Sequence, residues 1–400
     1  MNQNKKICVI GLGYIGLPTA ALLANRGYSV HGVDVVQSTV DTINQGKIHI
    51  VEPELDTFVY SAVNSGKLKA SLVPDIADVF IIAVPTPFHE GYVPNVDYVV
   101  NATKSIAPYV KSGDIVILES TSPVGTTELV EKTLREENVD TTKLYIAHCP
   151  ERVLPGHIMK ELVENDRIVG GLTPEATFKT VEFYETFVSG TVLSTDARTA
   201  EMAKLTENSF RDTNIAFANE LSMLCDKFDI NVWELISLAN RHPRVNILQP
   251  GAGVGGHCIA VDPWFIVHAG GETAKMIRTA REVNTYKTEW AIEKIKNAVL
   301  KFENKNERKA KVACMGLAFK PDIDDLRESP ALYITRRLKS DGIDILAVEP
   351  NIKSHKEFEI VDYKEAIKEA DIVTFLVAHK EFKALDIKTD LDFCGIIKGE

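Results

Sequence analysis

Hydrophobic and polar positions along the chain predict a repeated strand–helix pattern. Short apolar runs between Gly, Pro or polar clusters are typical of buried parallel strands, and longer stretches with apolar residues three and four apart predict helices. In the first half, the predicted strands are 6–10, 29–33, 79–84, 115–119 and 144–147, and the predicted helices end at 27 or cover 96–109 and 126–137. This alternation indicates an α/β fold with an open parallel sheet.

The second half begins with two long helical stretches and ends in another α/β pattern. The helices are predicted at 197–227, which lacks Gly and Pro, and at 273–302. Strands at 312–319, 343–348 and 372–377 then alternate with helices at 330–340 and 363–369. The charge-rich segment 303–311 has no apolar period and is predicted to be a linker. We therefore predict two Rossmann-like doubly wound α/β domains, 1–196 and 303–400, joined by a long-helix central region, 197–302, that mediates dimerisation.

Composition narrows the function classes. The 400 residues are 45% hydrophobic and 25% charged, as in ordinary globular proteins, and the net charge of −11 argues against nucleic acid or an anionic membrane as main partner. The N-terminus leads directly into a strand and the apolar runs are too short to span a bilayer, so we expect no signal peptide and no membrane insertion. Six cysteines without pairing spacing favour reduced thiols in a cytoplasm. The adjacent pairs His148-Cys149 and His257-Cys258 lack zinc-site spacing, so no metal is predicted.

Three glycines after the first predicted strand carry a dinucleotide fingerprint. Gly11, Gly13 and Gly16 have the spacing G-x-G-x-x-G, and the second predicted strand ends at Asp34. Such glycines permit a tight turn and close approach of a pyrophosphate to a helix N-terminus. The Asp34 carboxylate can accept hydrogen bonds from ribose hydroxyls and would repel a 2′-phosphate, which favours NAD over NADP. A purely structural turn is the alternative, but the flanking strand and acid favour the cofactor site.

Polar loops follow three of the predicted strands, at 85–87, 120–125 and 148–152. Ligands of an open parallel sheet lie at the carboxyl ends of its strands, so these loops are expected to line the cleft. The hydroxyls of Thr86 and Thr121 are candidates for cofactor or substrate contacts. Helix capping is an equally good interpretation of each hydroxyl taken alone.

The glycine-rich stretch 250–263 contains the candidate nucleophile. Four glycines, one of them Gly255, precede Cys258, and Asp262 follows four residues later. Glycines bring backbone N–H groups close to a ligand, and a thiol where a helix could begin is placed for a lowered pKa. Asp262 would lie on the same side, one helical turn on. A flexible loop with a buried structural cysteine is the usual interpretation of such a pattern alone.

Two further polar sets are candidates for the site. Lys204, Asn208 and Arg211 recur at spacings of four and three and share one helical face, although a solvated stripe is the common alternative. Lys320 and Arg327 follow a predicted strand and suit phosphate recognition. A surface ion-pair cluster with the intervening aspartates is the alternative for that second set.

Taken together, these motifs resemble the UDP-glucose/UDP-N-acetylmannosamine 6-dehydrogenase family. The resemblance covers essentially the whole chain, through the segments 11–17, 120–126, 149–156, 201–208, 253–258, 316–322 and 325–330. Segments 149–156, 240–245 and 255–258 resemble the members that oxidise UDP-N-acetylmannosamine. Several motifs in one order are far more specific than any one of them.

The resemblance implies an NAD-dependent four-electron oxidation of the sugar C6 hydroxymethyl to a carboxylate. Cys258 would add to the aldehyde as a thiolate, and hydride transfer from the thiohemiacetal would give a thioester for hydrolysis. Lys204 would be the general acid/base and Asn208 a second oxyanion donor. Asp262 and Glu151 would orient or activate water, with Glu151 favoured as the base in hydrolysis.

The resemblance also assigns binding residues and a partner. The implied NAD contacts are Gly11, Gly13, Tyr14, Ile15, Gly16, Asp34, Thr86, Thr121 and Arg327. The implied UDP-sugar contacts are Arg152, Val153, Lys204, Asn208, Arg211, His242, Arg244, Gly255, Phe319 and Lys320. Because the Arg244 position reaches a neighbouring subunit's site in the family, a homodimer or dimer-based oligomer is implied. The family's products feed polysaccharide biosynthesis, and domain closure during hydride transfer is a hypothesis.

Three alternatives stay open at this point. The nearest keeps the chemistry and changes the sugar to UDP-N-acetylglucosamine or UDP-glucose. A two-electron hydroxyacid dehydrogenase of the long-helix type needs a lysine but no cysteine. A non-catalytic nucleotide-binding protein would need neither, so retention of Lys204, Asn208, Cys258 and Asp262 argues against it.

Overall fold

A computed structural model describes residues 5–256, 258–383, 385, 387, 389 and 391–397. His257 of the predicted Gly-Gly-His-Cys motif lies outside the described residues. The chain forms two compact units. The first comprises the chain through Thr206 together with Trp264–Ala269, and the second comprises Glu207–Pro263 and the chain from Gly270 onward.

The first unit contains a large sheet and a short hairpin. Its strands are β1 (Lys6–Ile10), β2 (Ser29–Val33), β3 (Leu68–Ser71), β4 (Val79–Ile82), β5 (Phe88–His89), β6 (Val93–Pro94), β7 (Ile115–Leu118), β8 (Tyr145–His148), β9 (Arg167–Gly171) and β10 (Val192–Asp196). Its helices are α1 (Gly16–Asn25), α2 (Gln37–Asn44), α3 (Leu55–Asn64), α4 (Asp97–Ile106), α5 (Thr126–Glu136), α6 (Ile158–Glu164) and α7 (Pro174–Tyr184).

The large sheet has the order β10-β9-β8-β7-β4-β1-β2-β3, and β5 pairs with β6. Its strands pair in parallel except β8 with β9. One face packs against α1, α3, α6 and α7, and the other packs against α4 and α5. Because helices cover both faces, β4 and β7 are buried throughout and read as continuous apolar runs. The order of β1, β2, β3, β4, β7 and β8 is that of a dinucleotide-binding sheet, with its switch point between β1 and β4.

The second unit is built on long helices and a smaller parallel sheet. The helix α8 (Ala197–Phe228) enters it, and α9 (Val232–Ala239) and α11 (Lys275–Asn306) follow. Between these two in the sequence comes α10 (Asp262–Gly270), whose residues Trp264–Ala269 belong to the first unit. The remaining elements are β11 (Lys311–Met315), α12 (Pro330–Ser340), β12 (Asp344–Val348), α13 (Tyr363–Glu369) and β13 (Ile372–Phe375), with the sheet order β12-β11-β13. The α/β class predicted from the sequence is confirmed.

The structure corrects some predicted boundaries. The helix α11 continues to Asn306, inside the segment predicted to be a linker, and β11 already begins at Lys311. Lys and Glu are good helix formers, so charge density alone does not end a helix. The chain turns at Glu307, where φ is +51°, and the Glu303 carboxylate accepts a hydrogen bond from the Ala310 N–H at 3.2 Å. Among the described residues, no helix is long and apolar enough to cross a membrane.

Candidate active site

The turn after β1 has the steric features that the glycine fingerprint requires. Gly11 has φ +90°, and a Cβ there would lie 2.4 Å from the Ala83 carbonyl oxygen. A Cβ on Gly16 would lie 1.7 Å from the Gly11 carbonyl oxygen, so this glycine allows α1 to pack against the turn. A Cβ on Gly13 would have no heavy atom within 4 Å, so the space above it is open. That open backbone is where a pyrophosphate can approach closely.

Asp34 lies directly beside this turn. Its carboxylate accepts hydrogen bonds from the Leu12 N–H at 3.1 Å and from the Val36 N–H at 3.0 Å. Both bonds fix the carboxylate at the carboxyl end of β2, where a ribose hydroxyl would be met. Tyr14, two residues before α1, is 41% exposed, and Ile15 is half-buried.

The second unit repeats this turn after β11, but there the acid is already engaged. The Gly316 N–H donates to the Val348 carbonyl at 2.8 Å, as the Gly11 N–H does to Val33 at 2.8 Å. Glu349 takes the place of Asp34, because its Oε2 accepts the Leu317 N–H at 2.8 Å. Unlike Asp34, Glu349 is buried and lies 3.0 Å from His379 Nε2. Burial acts to raise the pKa of Glu349, but the hydrogen bonds from His379 and Leu317 outweigh it and lower that pKa.

The loops after β4 and β7 are tied together. Thr86 Oγ1 donates to the Thr121 carbonyl at 2.6 Å, and the Val84 N–H donates to Ser120 Oγ at 2.9 Å. The sequence motif 201–208 contains a further link, since Glu201 is fully buried and accepts the N–H groups of Gly125 and Thr127, each at 2.7 Å. Glu201 therefore provides hydrogen-bond acceptors for backbone N–H groups at the N-terminus of α5.

Glu151 follows β8 and is 7% exposed. Its Oε1 accepts the Arg152 N–H at 2.7 Å, and its Oε2 accepts Arg167 Nη1 at 2.7 Å. Arg167 is a buried cation that the sequence analysis did not single out. The Arg152 side chain donates from Nη1 to the Asp166 carbonyl at 3.1 Å, and Val153 packs against the core. Lys204 lies half-buried on α8, the helix that also carries Asn208 and Arg211.

Cys258 differs from the other cysteines in its exposure. Cys8, Cys149, Cys225 and Cys314 are buried and Cys394 is half-buried, whereas Cys258 is exposed. Burial raises the pKa of Cys8, Cys149 and Cys314 to about 12, and it also raises the pKa of Cys225 and Cys394. A thiolate at neutral pH is therefore disfavoured at those five positions.

The backbone next to Cys258 leads into α10. The Cys258 carbonyl accepts the Val261 N–H at 3.0 Å and the Asp262 N–H at 2.8 Å, and α10 begins at Asp262. Asp262 is 4% exposed, and its Oδ2 accepts Asn208 Nδ2 at 2.5 Å. Two residues that the sequence analysis named, 54 positions apart, are thus in direct contact within the second unit.

The glycines before Cys258 permit close packing against the segment 316–330. A Cβ on Gly255 would lie 2.3 Å from the Glu328 carbonyl oxygen, and one on Gly256 would lie 2.8 Å from the Phe319 ring. The Gly256 N–H donates to the Arg327 carbonyl at 3.2 Å. Phe319 is therefore next to the cysteine-bearing loop. The Arg327 side chain forms an ion pair with Asp325 at 2.7 Å, which is the alternative that the sequence left open.

A buried polar network that sequence analysis missed supports the same loop. Asn219 Oδ1 accepts the Gly251 N–H at 2.9 Å, and Asn219 Nδ2 donates to Asn284 Oδ1 at 2.8 Å. Asn284 and Arg281 both donate to Asp212 Oδ1, at 2.8 and 2.6 Å. Polar residues at core-facing positions of α8 and α11 were the available signal. His242 and Arg244, in contrast, lie exposed after α9, where the Arg244 N–H donates to His242 Nδ1 at 3.3 Å.

Comparison with known proteins decides the family. Three consecutive segments match the UDP-glucose/GDP-mannose dehydrogenase family: its NAD binding domain at 5–188, its central domain at 198–286 and its UDP binding domain at 313–393. The chain belongs to this family. The predicted family, the NAD cofactor and the assignment as an NAD-dependent UDP-sugar dehydrogenase are thereby confirmed.

Individual family members are similar over nearly the whole chain. The UDP-N-acetyl-D-mannosamine dehydrogenase of Campylobacter jejuni is 58% identical over 98% of this chain and 100% of its own length. An NDP-N-acetyl-D-galactosaminuronic acid dehydrogenase of Ralstonia solanacearum is 55% identical over 96% of this chain and 92% of its own length. The structure of the UDP-N-acetyl-mannosamine dehydrogenase of Staphylococcus aureus has a TM-score of 0.88 at 42% identity, over 99% of this chain and 96% of that one.

Proposed function

We propose that this family member oxidises UDP-N-acetyl-D-mannosamine at C6 to UDP-N-acetyl-D-mannosaminuronate. The observation that carries the proposal is the exposed Cys258 beside the buried Asn208–Asp262 pair, in a chain 58% identical to an enzyme of that name. A second oxidation needs a nucleophile, because an aldehyde has no hydride to give until a group adds to its carbon. The balance is one alcohol, two NAD⁺ and one water giving one carboxylate, two NADH and three protons.

In the first oxidation, Lys204 takes the proton of the C6 hydroxyl, while bound NAD supplies the hydride acceptor. The Cys258 thiolate then adds to the aldehyde carbon to form a thiohemiacetal, whose loss of hydride gives a thioester. Water displaces the sulfur, which restores the thiolate and releases the carboxylate. The cysteine exposures support Cys258 as the nucleophile, since the other thiols are buried or half-buried and have raised pKa values.

Each tetrahedral stage places negative charge on oxygen and requires fixed donors. An amide NH₂ group has two hydrogens, and Asp262 holds one hydrogen of Asn208. The other hydrogen of Asn208 is the proposed oxyanion donor, together with protonated Lys204. Because its carboxylate fixes the plane of the Asn208 amide, Asp262 is proposed to orient this donor.

Glu151 is the proposed base that activates water for thioester hydrolysis. Its support is a buried carboxylate held in one orientation by Arg167 and by the Arg152 N–H. Asp262 is the alternative base. Single-turnover hydrolysis of the thioester in Glu151→Gln and Asp262→Asn separates the two. Only the variant that lacks the base should accumulate acyl-enzyme in place of the released carboxylate.

The proposed ligand contacts are grouped around the turns after β1 and β11. NAD is assigned to Gly11, Gly13, Tyr14, Ile15, Gly16, Asp34, Thr86, Thr121 and Arg327. UDP-sugar is assigned to Arg152, Val153, Arg211, His242, Arg244, Gly255, Phe319 and Lys320, in addition to Lys204 and Asn208. The open backbone at Gly13 fits a pyrophosphate, and the placement of Phe319 on Gly256 sets the UDP-binding segment next to the nucleophile's loop.

A homodimer or dimer-based oligomer is proposed from one face of α8. Phe210, Phe217 and Leu224 recur every seven residues and are 69%, 52% and 43% exposed, and Phe228 follows at 62%. Large apolar side chains at helical spacing on an exposed face are typical of helix–helix interfaces.

The three-domain division 1–196, 197–302 and 303–400 and a cytoplasmic location are further parts of this proposal.

One experiment tests the substrate and the stoichiometry together. Purified protein is incubated with NAD and a panel of UDP-sugars that includes UDP-N-acetylmannosamine, UDP-N-acetylgalactosamine, UDP-N-acetylglucosamine and UDP-glucose. NADH absorbance should give two NADH per UDP-N-acetylmannosamine. The galactosamine substrate is the second candidate because the Ralstonia relative is 55% identical. One NADH per sugar, or none, would contradict the four-electron reaction.

A further inference from the structure

A second buried carboxyl lies in the cluster that holds Glu151. Glu119 is the first residue after β7 and is 2% exposed. Its Oε1 accepts a hydrogen bond from Tyr184 Oη at 2.7 Å. Its Oε2 has no hydrogen-bond partner within the described part of the chain. An oxygen that is buried without a partner cannot carry ionic charge cheaply.

Arg167 is the cation of this cluster. It is 1% exposed and donates from Nη1 to Glu151 and from Nη2 to the Leu162 carbonyl at 3.2 Å. Its guanidinium carbon lies 5.5 Å from the centre of the Tyr184 ring, whose hydroxyl binds Glu119. The connected groups therefore run from Glu119 through Tyr184 and Arg167 to Glu151.

Titratable groups from three segments interact with Glu119. Tyr184 comes from α7, Arg167 from β9, and Cys149 and Glu151 from the segment after β8. If both carboxyls were ionised, one guanidinium would face two negative charges in a site closed to water. The pKa of Glu119 is raised to about 7, chiefly by burial and also by the charge of Glu151, although Arg167 and the Tyr184 hydrogen bond act to lower it. At lower pH, Glu119 is neutral and Glu151 has the guanidinium to itself.

We propose that Glu119 is a positioning residue for Glu151, which sets through Tyr184 and Arg167 how fully the guanidinium compensates the Glu151 carboxylate. The proposal rests on the proposed role of Glu151 in hydrolysis. When Glu119 ionises, it competes for the field of Arg167, and Glu151 then accepts a proton from water more readily. The hydrolytic step therefore speeds up as the pH rises through the ionisation of Glu119.

Two variants test this relationship, and they should change the pH profile in different ways. Glu119→Gln keeps the side-chain shape but cannot ionise. Its thioester hydrolysis should lose the ionisation near pH 7 and run about threefold slower above it, on Brønsted grounds. Tyr184→Phe removes a hydrogen bond that favours ionised Glu119, so the same ionisation should move to higher pH. The measurement is single-turnover hydrolysis against pH, followed by quench and mass analysis of the acyl-enzyme.

Direct detection of the proton makes the test independent of turnover. Difference infrared spectra of the wild-type protein between acidic and alkaline buffer should contain a carboxylic-acid C=O band that Glu119→Gln lacks. If the band and the ionisation near pH 7 both survive in Glu119→Gln, the inference is overturned. If both variants slow hydrolysis equally at every pH, the role is structural and the inference is also overturned. Failure of the proposed function would be seen separately, as fewer than two NADH per sugar in the wild type.

Discussion

Asn208 Nδ2 lies 2.5 Å from Asp262 Oδ2, and both side chains are buried at the end of the loop that carries Cys258. A carboxylate that accepts from an amide fixes the rotation of that amide. The second amide hydrogen of Asn208 then already points in a defined direction, so no free energy is needed to orient this donor during the reaction.

Replacing Asn208 by alanine should therefore lower kcat more than it raises KM. We expect a loss of about 100-fold in kcat, the usual effect of removing one oxyanion donor. Steady-state NADH formation at saturating NAD and UDP-sugar measures this. The matched control is Asn214→Ala on the same helix, whose amide donates to the Phe210 carbonyl at 2.7 Å. Equal losses in the two variants would assign the effect to helix stability.

The thiols should differ strongly in reactivity. Limited alkylation of the native protein with iodoacetamide should modify Cys258 first, because the other thiols are buried or half-buried with raised pKa values. Peptide mass analysis gives the site of modification. Cys258→Ala should abolish acid formation while NAD binding stays intact, whereas Cys225→Ala should retain activity. Normal turnover in Cys258→Ala would eliminate the covalent route.

Much of the fold could be predicted because each signal was local. The spacing of Gly11, Gly13 and Gly16 before a buried helix, with an acid after β2, fixed the first turn, and the structure has the corresponding contacts. The strands β3, β9 and β10 were not predicted. In β10 the reason is that the strand is exposed or half-buried along its length and lacks a continuous apolar run.

The buried polar residues that hold the site in place were harder to predict than its reactive residues. Arg167, Asp212 and Asn219 each act through partners that are distant in sequence, such as Glu151 for Arg167 and Arg281 for Asp212. A buried ion or amide has no periodic signature of its own. Only tertiary structure shows which lone polar residue in an apolar face has a partner.

Gly13 and Gly16 should respond differently to alanine. A Cβ at position 13 meets no atom within 4 Å, so Gly13→Ala should keep its unfolding temperature and lose NAD affinity. A Cβ at position 16 would lie 1.7 Å from the Gly11 carbonyl oxygen, so Gly16→Ala should lower the free energy of unfolding by more than about 3 kcal/mol. Thermal unfolding and NAD titration by fluorescence measure the two effects. Unchanged NAD affinity in Gly13→Ala would argue against a pyrophosphate at this turn.

Glu349 should make the second unit sensitive to acid. Its pKa is lowered in the folded state, so its ionised form contributes stability that is fully present above the unfolded pKa of a glutamate. That contribution is lost as the pH falls through the lower, folded pKa. Glu349→Gln should therefore reduce unfolding free energy by about 2 kcal/mol at pH 7 and by less in acid. Urea unfolding at several pH values checks this, with the exposed Glu359→Gln as control. A pH-independent loss would show that the charge of Glu349 is not responsible.

The α8 face should be required for self-association. Phe217 is 52% exposed at the centre of the stripe formed with Phe210 and Leu224, so a charge there would be buried without a partner in a helix–helix interface. Phe217→Glu should shift the mass measured by light scattering from that of an oligomer to that of a 44.3 kDa monomer. Phe178→Glu, at an aromatic position of similar exposure on α7, should leave the mass unchanged. A wild-type chain that is monomeric at micromolar concentration would contradict the interface. If Phe217→Glu loses both the dimer and the enzymatic activity, the result would support a site that two subunits share through Arg244.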